Sequence, residues 1–193
     1  EKSCVLILVG KRRSACAASK TGLTEDGTDG KRGIGMLYRP FGDRQLSALG
    51  MGNMRLPVRA YGRSQRIDQP KAQEIIDYAM EHGVNYYDSA YIYHNGQSER
   101  FLGTAFAGYP REKYHLATKF LLQANPDFRF VFQDQLERLQ TDYIDFYLLH
   151  AITERTVSRY LTGGCLEYFD EQKRLGKIRA IGFSFHGNVE TLE

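Results

Sequence analysis

No apolar run in this sequence approaches the roughly 20 residues that a membrane-spanning helix needs. The nearest candidate, Val5-Leu6-Ile7-Leu8-Val9, is too short for a signal-peptide core. Its basic residues, Lys11, Arg12 and Arg13, follow it rather than precede it. Cysteine is scarce. Cys4, Cys16 and Cys165 are odd in number and lack metal-ligand spacing, so neither a disulfide framework nor a zinc site is encoded. No Gly-x-Gly-x-x-Gly opens any helical stretch, which removes a glycine-rich dinucleotide loop. The net charge of +3 is also empty of meaning for most of the chain. Residues 1–35 hold seven Lys or Arg against four acids, and residues 36–193 hold nineteen of each. The globular part therefore lacks the basic footprint of a nucleic-acid binder. These absences describe a cytoplasmic protein with reduced thiols that binds neither membrane nor nucleic acid.

What is present begins at residue 36. Residues 1–35 have no sustained hydrophobic period, scatter Gly27, Gly30, Gly33 and Gly35 among Ser, Thr and Asp, and lack an initiating Met. They read as a disordered or non-native extension, or else a short targeting arm, with Met36 as the natural start. After it, Tyr38–Gly42 and Gln45–Gly50 suggest a small hairpin that leads into a first strand near 48–54. Asp68 is a fitting N-cap for a helix over 69–82, with Pro70 in its first turn, and Ala72, Ile75, Ile76 and Ala79 supply the apolar stripe. Gly83 stops that helix. Strands follow near 84–89, 114–119, 143–149 and 178–184. Between them lie helices from Ser98, over 126–140, and over 153–175 with a break at Gly163-Gly164.

Strict alternation of strand and helix implies a parallel sheet. Three of its strands end on an ionisable residue: Asp88 after Asn85-Tyr86-Tyr87, Lys119 after His115-Leu116-Ala117-Thr118, and His150 after Phe146-Tyr147-Leu148-Leu149. Strands buried on both faces read as continuous apolar runs, so a charge at the last position needs a reason. In a parallel barrel that position faces the active site. Singly, each residue is ordinary: a strand-end turn residue, a snorkelling lysine, a core histidine, and in Tyr93 one of 13 tyrosines. Together, a carboxylate, an ammonium, an imidazole and a nearby phenol make a proton-transfer site.

The stretch Gly83-Val84-Asn85-Tyr86-Tyr87-Asp88-Ser89-Ala90-Tyr91-Ile92-Tyr93, followed by Ser98-Glu99-Arg100-Phe101-Leu102-Gly103, resembles the first signature of the aldo-keto reductases. Leu116–Lys119, Asp142–His150 and Lys177–Ser184 match that family's later landmarks in the right order and at the right intervals. Met54-Arg55-Leu56-Pro57 and Gly182-Phe183-Ser184-Phe185-His186 look most like bacterial and archaeal members. The resemblance implies a (β/α)8 TIM barrel. Only about five βα units fit into residues 36–193, because a full barrel takes roughly 250 residues. It also implies a catalytic tetrad of Asp88, Tyr93, Lys119 and His150.

A free phenol holds its proton too tightly to trade it near neutral pH, and a neighbouring ammonium favours the phenolate. In this reading Asp88 keeps the lysine charged and Tyr93 is the general acid as hydride reaches a carbonyl carbon. No side chain supplies hydride, so the resemblance implies NADPH, or less often NADH. Asn53, Met54, Asp88 and Ser184 would contact that cofactor, with Tyr91 and His94 lining the substrate pocket. The partner is a small-molecule carbonyl compound. An iron–sulfur cluster would arise only with a C-terminal extension, and no metal site is expected within the chain. Two other readings compete: a non-catalytic nucleotide-binding relative or inactive fragment, and a metal-dependent barrel hydrolase with Asp88 and His150 as ligands. The second lacks a His-x-His on the first strand and would set the Lys119 ammonium against a cation.

Overall fold

Two short antiparallel hairpins precede the parallel part of the fold. The computed structural model describes residues 4–6, 35–62 and 64–187, so most of the expected N-terminal extension and the chain after 187 lie outside the described residues. In chain order the elements are β1 (Cys4–Leu6), β2 (Tyr38–Phe41), β3 (Arg44–Ser47), β4 (Met51–Gly52), β5 (Val58–Tyr61), β6 (Ser64–Ile67) and α1 (Gln69–Glu81). There follow β7 (Tyr86–Asp88), α2 (Gln97–Ala105), β8 (His115–Phe120), α3 (Phe128–Leu139), β9 (Ile144–Ile152), α4 (Val157–Thr162), α5 (Cys165–Arg174) and β10 (Ile178–Phe185). Among the described residues no helix is long and apolar enough to cross a membrane.

The main sheet runs β4-β7-β8-β9-β10, all parallel, with β1 antiparallel on the outer edge of β10. Helices connect the parallel strands from β7 onward, giving the first five strands of a (β/α)8 barrel. Part of the first 35 residues thus joins the sheet, where the unpaired edge of β10 offers a ladder to any extended segment. The first parallel strand is only two residues long, shorter than the expected 48–54, because the chain turns into a 3₁₀ turn at Asn53–Arg55.

Two apolar layers flank the sheet. The outer one lies under the helices and includes Ile76 of α1, Leu102 of α2, Phe132 and Leu136 of α3, Phe169 of α5 and the outward Tyr147 of β9. Burying each such side chain contributes about 1.5–3 kcal/mol. The inner layer is small: Ala117, Phe146 and Ala180, covered by Phe41 and Leu46 of the β2–β3 hairpin and by Tyr86. Asn85 ties that hairpin down, accepting the Ser47 N–H at 2.8 Å and donating to the Gln45 carbonyl at 2.8 Å. The hairpin therefore plugs one end of the inner face and leaves the other end open.

α2 and α3 approach closely at Gly103. A Cβ there would come 2.3 Å from the Arg138 carbonyl oxygen, so only glycine fits without moving the backbone. The helical region between β9 and β10 breaks where expected, with Gly164 at φ +75. One expectation fails in detail. Asp68 makes no side-chain cap for α1. Its carboxylate instead pairs with Arg59 of the β5–β6 hairpin at 2.6 Å, an element the sequence analysis did not anticipate.

Candidate active site

Register decides which side chains share the inner face. Asp88 pairs with Ala117, Ala117 with Phe146, and Phe146 with Ala180. Side chains alternate along a strand, so Lys119, Leu148 and Gly182 stand two positions further along the same face, with His150 and Ser184 beyond them. The charges at the strand ends are thus brought to the open mouth by strand period alone. At His150 the ladder with β10 is irregular: Phe183 pairs with Leu149, but Phe185 pairs with Ile152. Ala151 takes up the extra residue at φ 56, and its N–H donates to the Ser184 hydroxyl oxygen at 2.8 Å.

Lys119 is 2% exposed and every proton of its ammonium has an acceptor. It donates to Asp88 Oδ1 at 2.5 Å, to the Ser89 carbonyl at 2.5 Å and to the Tyr93 hydroxyl at 3.4 Å. The same ammonium lies 4.9 Å from the centre of the Tyr93 ring. The rings of Tyr93 and His150 meet edge to face with centroids 6.0 Å apart. The structure therefore brings Asp88, Tyr93, Lys119 and His150 into one group.

Tyr93 comes from a loop, and three left-handed residues aim it. His94 and Asn95 have φ 51 and 55, and Gly96 has φ 80. Non-glycine residues in this region are held by their surroundings. Here His94 Nε2 accepts the Leu56 N–H at 3.2 Å. Burial, with Arg55 nearby, pushes the His94 imidazolium down from its ordinary value, which favours the neutral ring that this bond requires. His94 thus fastens the loop to the turn after β4. Tyr91 is not brought into the group: it packs with the outer core, beneath the Arg138 guanidinium at 4.2 Å. Asn53 is fully buried and donates to the Asp88 carbonyl at 2.9 Å, Ser184 is nearly buried, and Met54 is exposed at the mouth.

Burial pushes the Asp88 carboxyl up from its usual range, and the Lys119 ammonium opposes that shift. Burial pushes His150 down to about 4, helped by the Lys119 ammonium and by His186. An unfolded histidine titrates near 6.5, so between those values this residue binds more protons in the unfolded chain and its contribution to stability rises with pH. The contribution is complete above about pH 6.5 and is lost as pH falls toward about 4. Unfolding free energy measured with urea should be about 2 kcal/mol lower at pH 5 than at pH 7 on this account, and His150→Gln should flatten that slope. An equally steep fall in the variant would assign the loss to other groups.

The sequence model of the Aldo/keto reductase family matches residues 48–193. The chain belongs to that family. A probable aldo-keto reductase from Glycine max is 30% identical over 151 residues, covering 72% of this chain and 42% of the relative. The solved holo form of an aldo-keto reductase from Bacillus halodurans, AKR11C1, superposes with a TM-score of 0.63 at 35% identity, covering 78% of this chain and 50% of that one. A Klebsiella pneumoniae aldo-keto reductase solved in complex with NADPH gives 0.57 at 26% identity, covering 72% and 45%. The chain spans about half the length of the relatives it matches. As an aldo/keto reductase it supplies the first five barrel strands, and the strand ends that form its mouth are those that carry Asp88, Lys119 and His150.

The iron–sulfur expectation concerned an extension beyond this chain and is not borne out by the relatives found; among the described residues no group of His, Cys, Asp or Glu could hold a metal ion. Asp88 is also engaged by an ammonium, which disfavours the metal-hydrolase alternative. Glu99, Gln135 and Arg138, for which the sequence suggests no role, form a buried polar group directly behind Lys119. Glu99 was visible within the family signature, but nothing in periodicity marks a buried carboxylate.

Proposed function

We propose that this chain carries the proton-transfer site of an NAD(P)H-dependent carbonyl reductase that converts aldehydes or ketones to alcohols. The observation that carries the reading is the buried Lys119 ammonium, which joins Asp88 to the Tyr93 hydroxyl. A bare nucleotide-binding module has no need for a phenol, an ammonium and an imidazole to meet at its mouth.

The residues present fit a nicotinamide nucleotide. Asn53 Oδ1, Asp88 Oδ2 and His150 Nδ1 are buried without a hydrogen-bond partner, a state that calls for a polar ligand. Ser184 Oγ accepts the Ala151 N–H and keeps its own proton free to donate. Asn53, Met54, Asp88 and Ser184 would hold the nucleotide, which supplies hydride to the carbonyl carbon when bound.

The protein's own part is proton management. Tyr93 gives its hydroxyl proton to the carbonyl oxygen as negative charge develops there. Lys119 lies beside that hydroxyl and stabilises the phenolate left behind. Asp88 and the Ser89 carbonyl hold the ammonium in position in a site largely closed to water. His150, neutral across the physiological range, orients the carbonyl oxygen by hydrogen bonding without adding a second positive charge. The test is consumption of reduced nicotinamide with simple aldehydes by the full-length protein. Turnover that needs both the nucleotide and the aldehyde is the expected result, and nucleotide binding without any turnover would defeat the reading.

A further inference from the structure

We infer that Glu99 is a positioning residue that sets the contact between Lys119 and Tyr93 from behind the site, a role that rests on the reading just given. Glu99 lies in the first turn of α2 and is fully buried, and its polar partners are Thr118, Gln135 and Arg138 rather than the four mouth residues. Its Oε1 accepts from the Thr118 hydroxyl at 2.5 Å and from Gln135 Nε2 at 2.6 Å. Its Oε2 accepts from Arg138 Nη1 at 3.2 Å. All three partners donate to Glu99, which suits an acceptor-only carboxylate.

Each partner leads to the site. Thr118 precedes Lys119 on β8. Gln135 Nε2 reaches the Lys119 carbonyl itself at 3.2 Å. Arg138 Nη1 donates to the Tyr91 carbonyl at 3.2 Å, two residues before Tyr93, while the Tyr91 N–H donates to the Lys119 carbonyl at 3.4 Å. The Tyr91 peptide is therefore held on both sides, and one carboxylate joins the strand that carries the ammonium to the loop that carries the phenol. The Tyr147 hydroxyl fixes the other end of the Gln135 amide at 2.6 Å, so Gln135 cannot swing away without losing that bond. Burial raises the Glu99 carboxyl above its ordinary value, and its three donors oppose the rise. A buried charge is an expensive way to join two helices and a strand unless its geometry matters elsewhere.

Two variants test this in the full-length protein. Glu99→Gln keeps the shape but sets an amide N–H against existing donors. Thr118→Val removes one hydroxyl from the network and serves where the first variant folds poorly. Turnover is normalised to nucleotide-binding sites, so that misfolded protein is not counted. Glu99→Gln should lower kcat per binding site by about tenfold or more, with KM and nucleotide Kd within about threefold. Thr118→Val should act in the same direction with a smaller effect. In a crystal structure of Glu99→Gln, Lys119 Nζ and Tyr93 Oη should lie beyond hydrogen-bonding reach. Lower thermal stability with unchanged kcat per site, or an unchanged Lys119–Tyr93 separation, would overturn the assignment. Tyr93→Phe measured in parallel separates the two ideas: if it retains turnover, Tyr93 is not the general acid, and if the native protein shows no turnover the carbonyl-reductase reading fails, whereas the crystallographic separation still judges Glu99.

Discussion

Tyr93→Phe is expected to lower kcat for carbonyl reduction by about 10²–10⁴-fold, the usual contribution of a positioned general acid. Nucleotide affinity should stay within about twofold, because the substitution removes one oxygen and no binding contact. The phenyl ring keeps the edge-to-face contact with His150 at 6.0 Å and remains near the Lys119 ammonium at 4.9 Å. The loop should hold as well, since it is fixed by the His94–Leu56 bond and not by the phenol. Steady-state kinetics combined with fluorescence titration of the nucleotide measures both quantities. A kcat near that of the native protein would remove Tyr93 from the acid role. Equal loss of turnover and of nucleotide binding would show that the hydroxyl supports the site's shape instead.

The strands of the barrel were legible because double burial forces apolar runs, and β7, β8, β9 and β10 fall close to their expected ranges. The mouth residues were legible for the opposite reason, as charges where an apolar run should continue. The β5–β6 hairpin was not legible. The strand Val58–Tyr61 is short, and its Val58, Arg59 and Ala60 are exposed outside both apolar layers, so no core-facing pattern marks it. That omission explains the misreading of Asp68, whose carboxylate goes to Arg59 of the same hairpin. Tyr93 was legible by resemblance, but its aim was not. Consecutive left-handed His94 and Asn95 are chosen by a tertiary bond to Leu56, and local sequence carries no sign of it. Tyr91 shows the same limit. Its neighbours suggested the pocket, yet a cation–π contact with Arg138 on α3 draws it to the outer layer.

Lys119→Met should destabilise the fold by about 3–5 kcal/mol at neutral pH, the range found when one partner of a buried ion pair is removed. Methionine fills the volume but leaves Asp88 Oδ1 and the Ser89 carbonyl without their donor. Asp88 is then a poorly hydrated carboxylate with no counter-charge. The loss should shrink as pH falls. With the ammonium gone nothing opposes the burial that already raises the Asp88 carboxyl, and protonation removes the uncompensated charge. Adding Asp88→Asn should recover more than half of the lost stability, because an amide in that place carries no charge to strand. Urea unfolding of the two single variants and the double variant forms a cycle, and a coupling energy near zero would contradict the pairing seen at 2.5 Å. All three variants should be inactive. A double variant that regains stability while staying inactive would mean the pair is retained for proton transfer, since uncharged side chains in those two positions would hold the barrel together nearly as well.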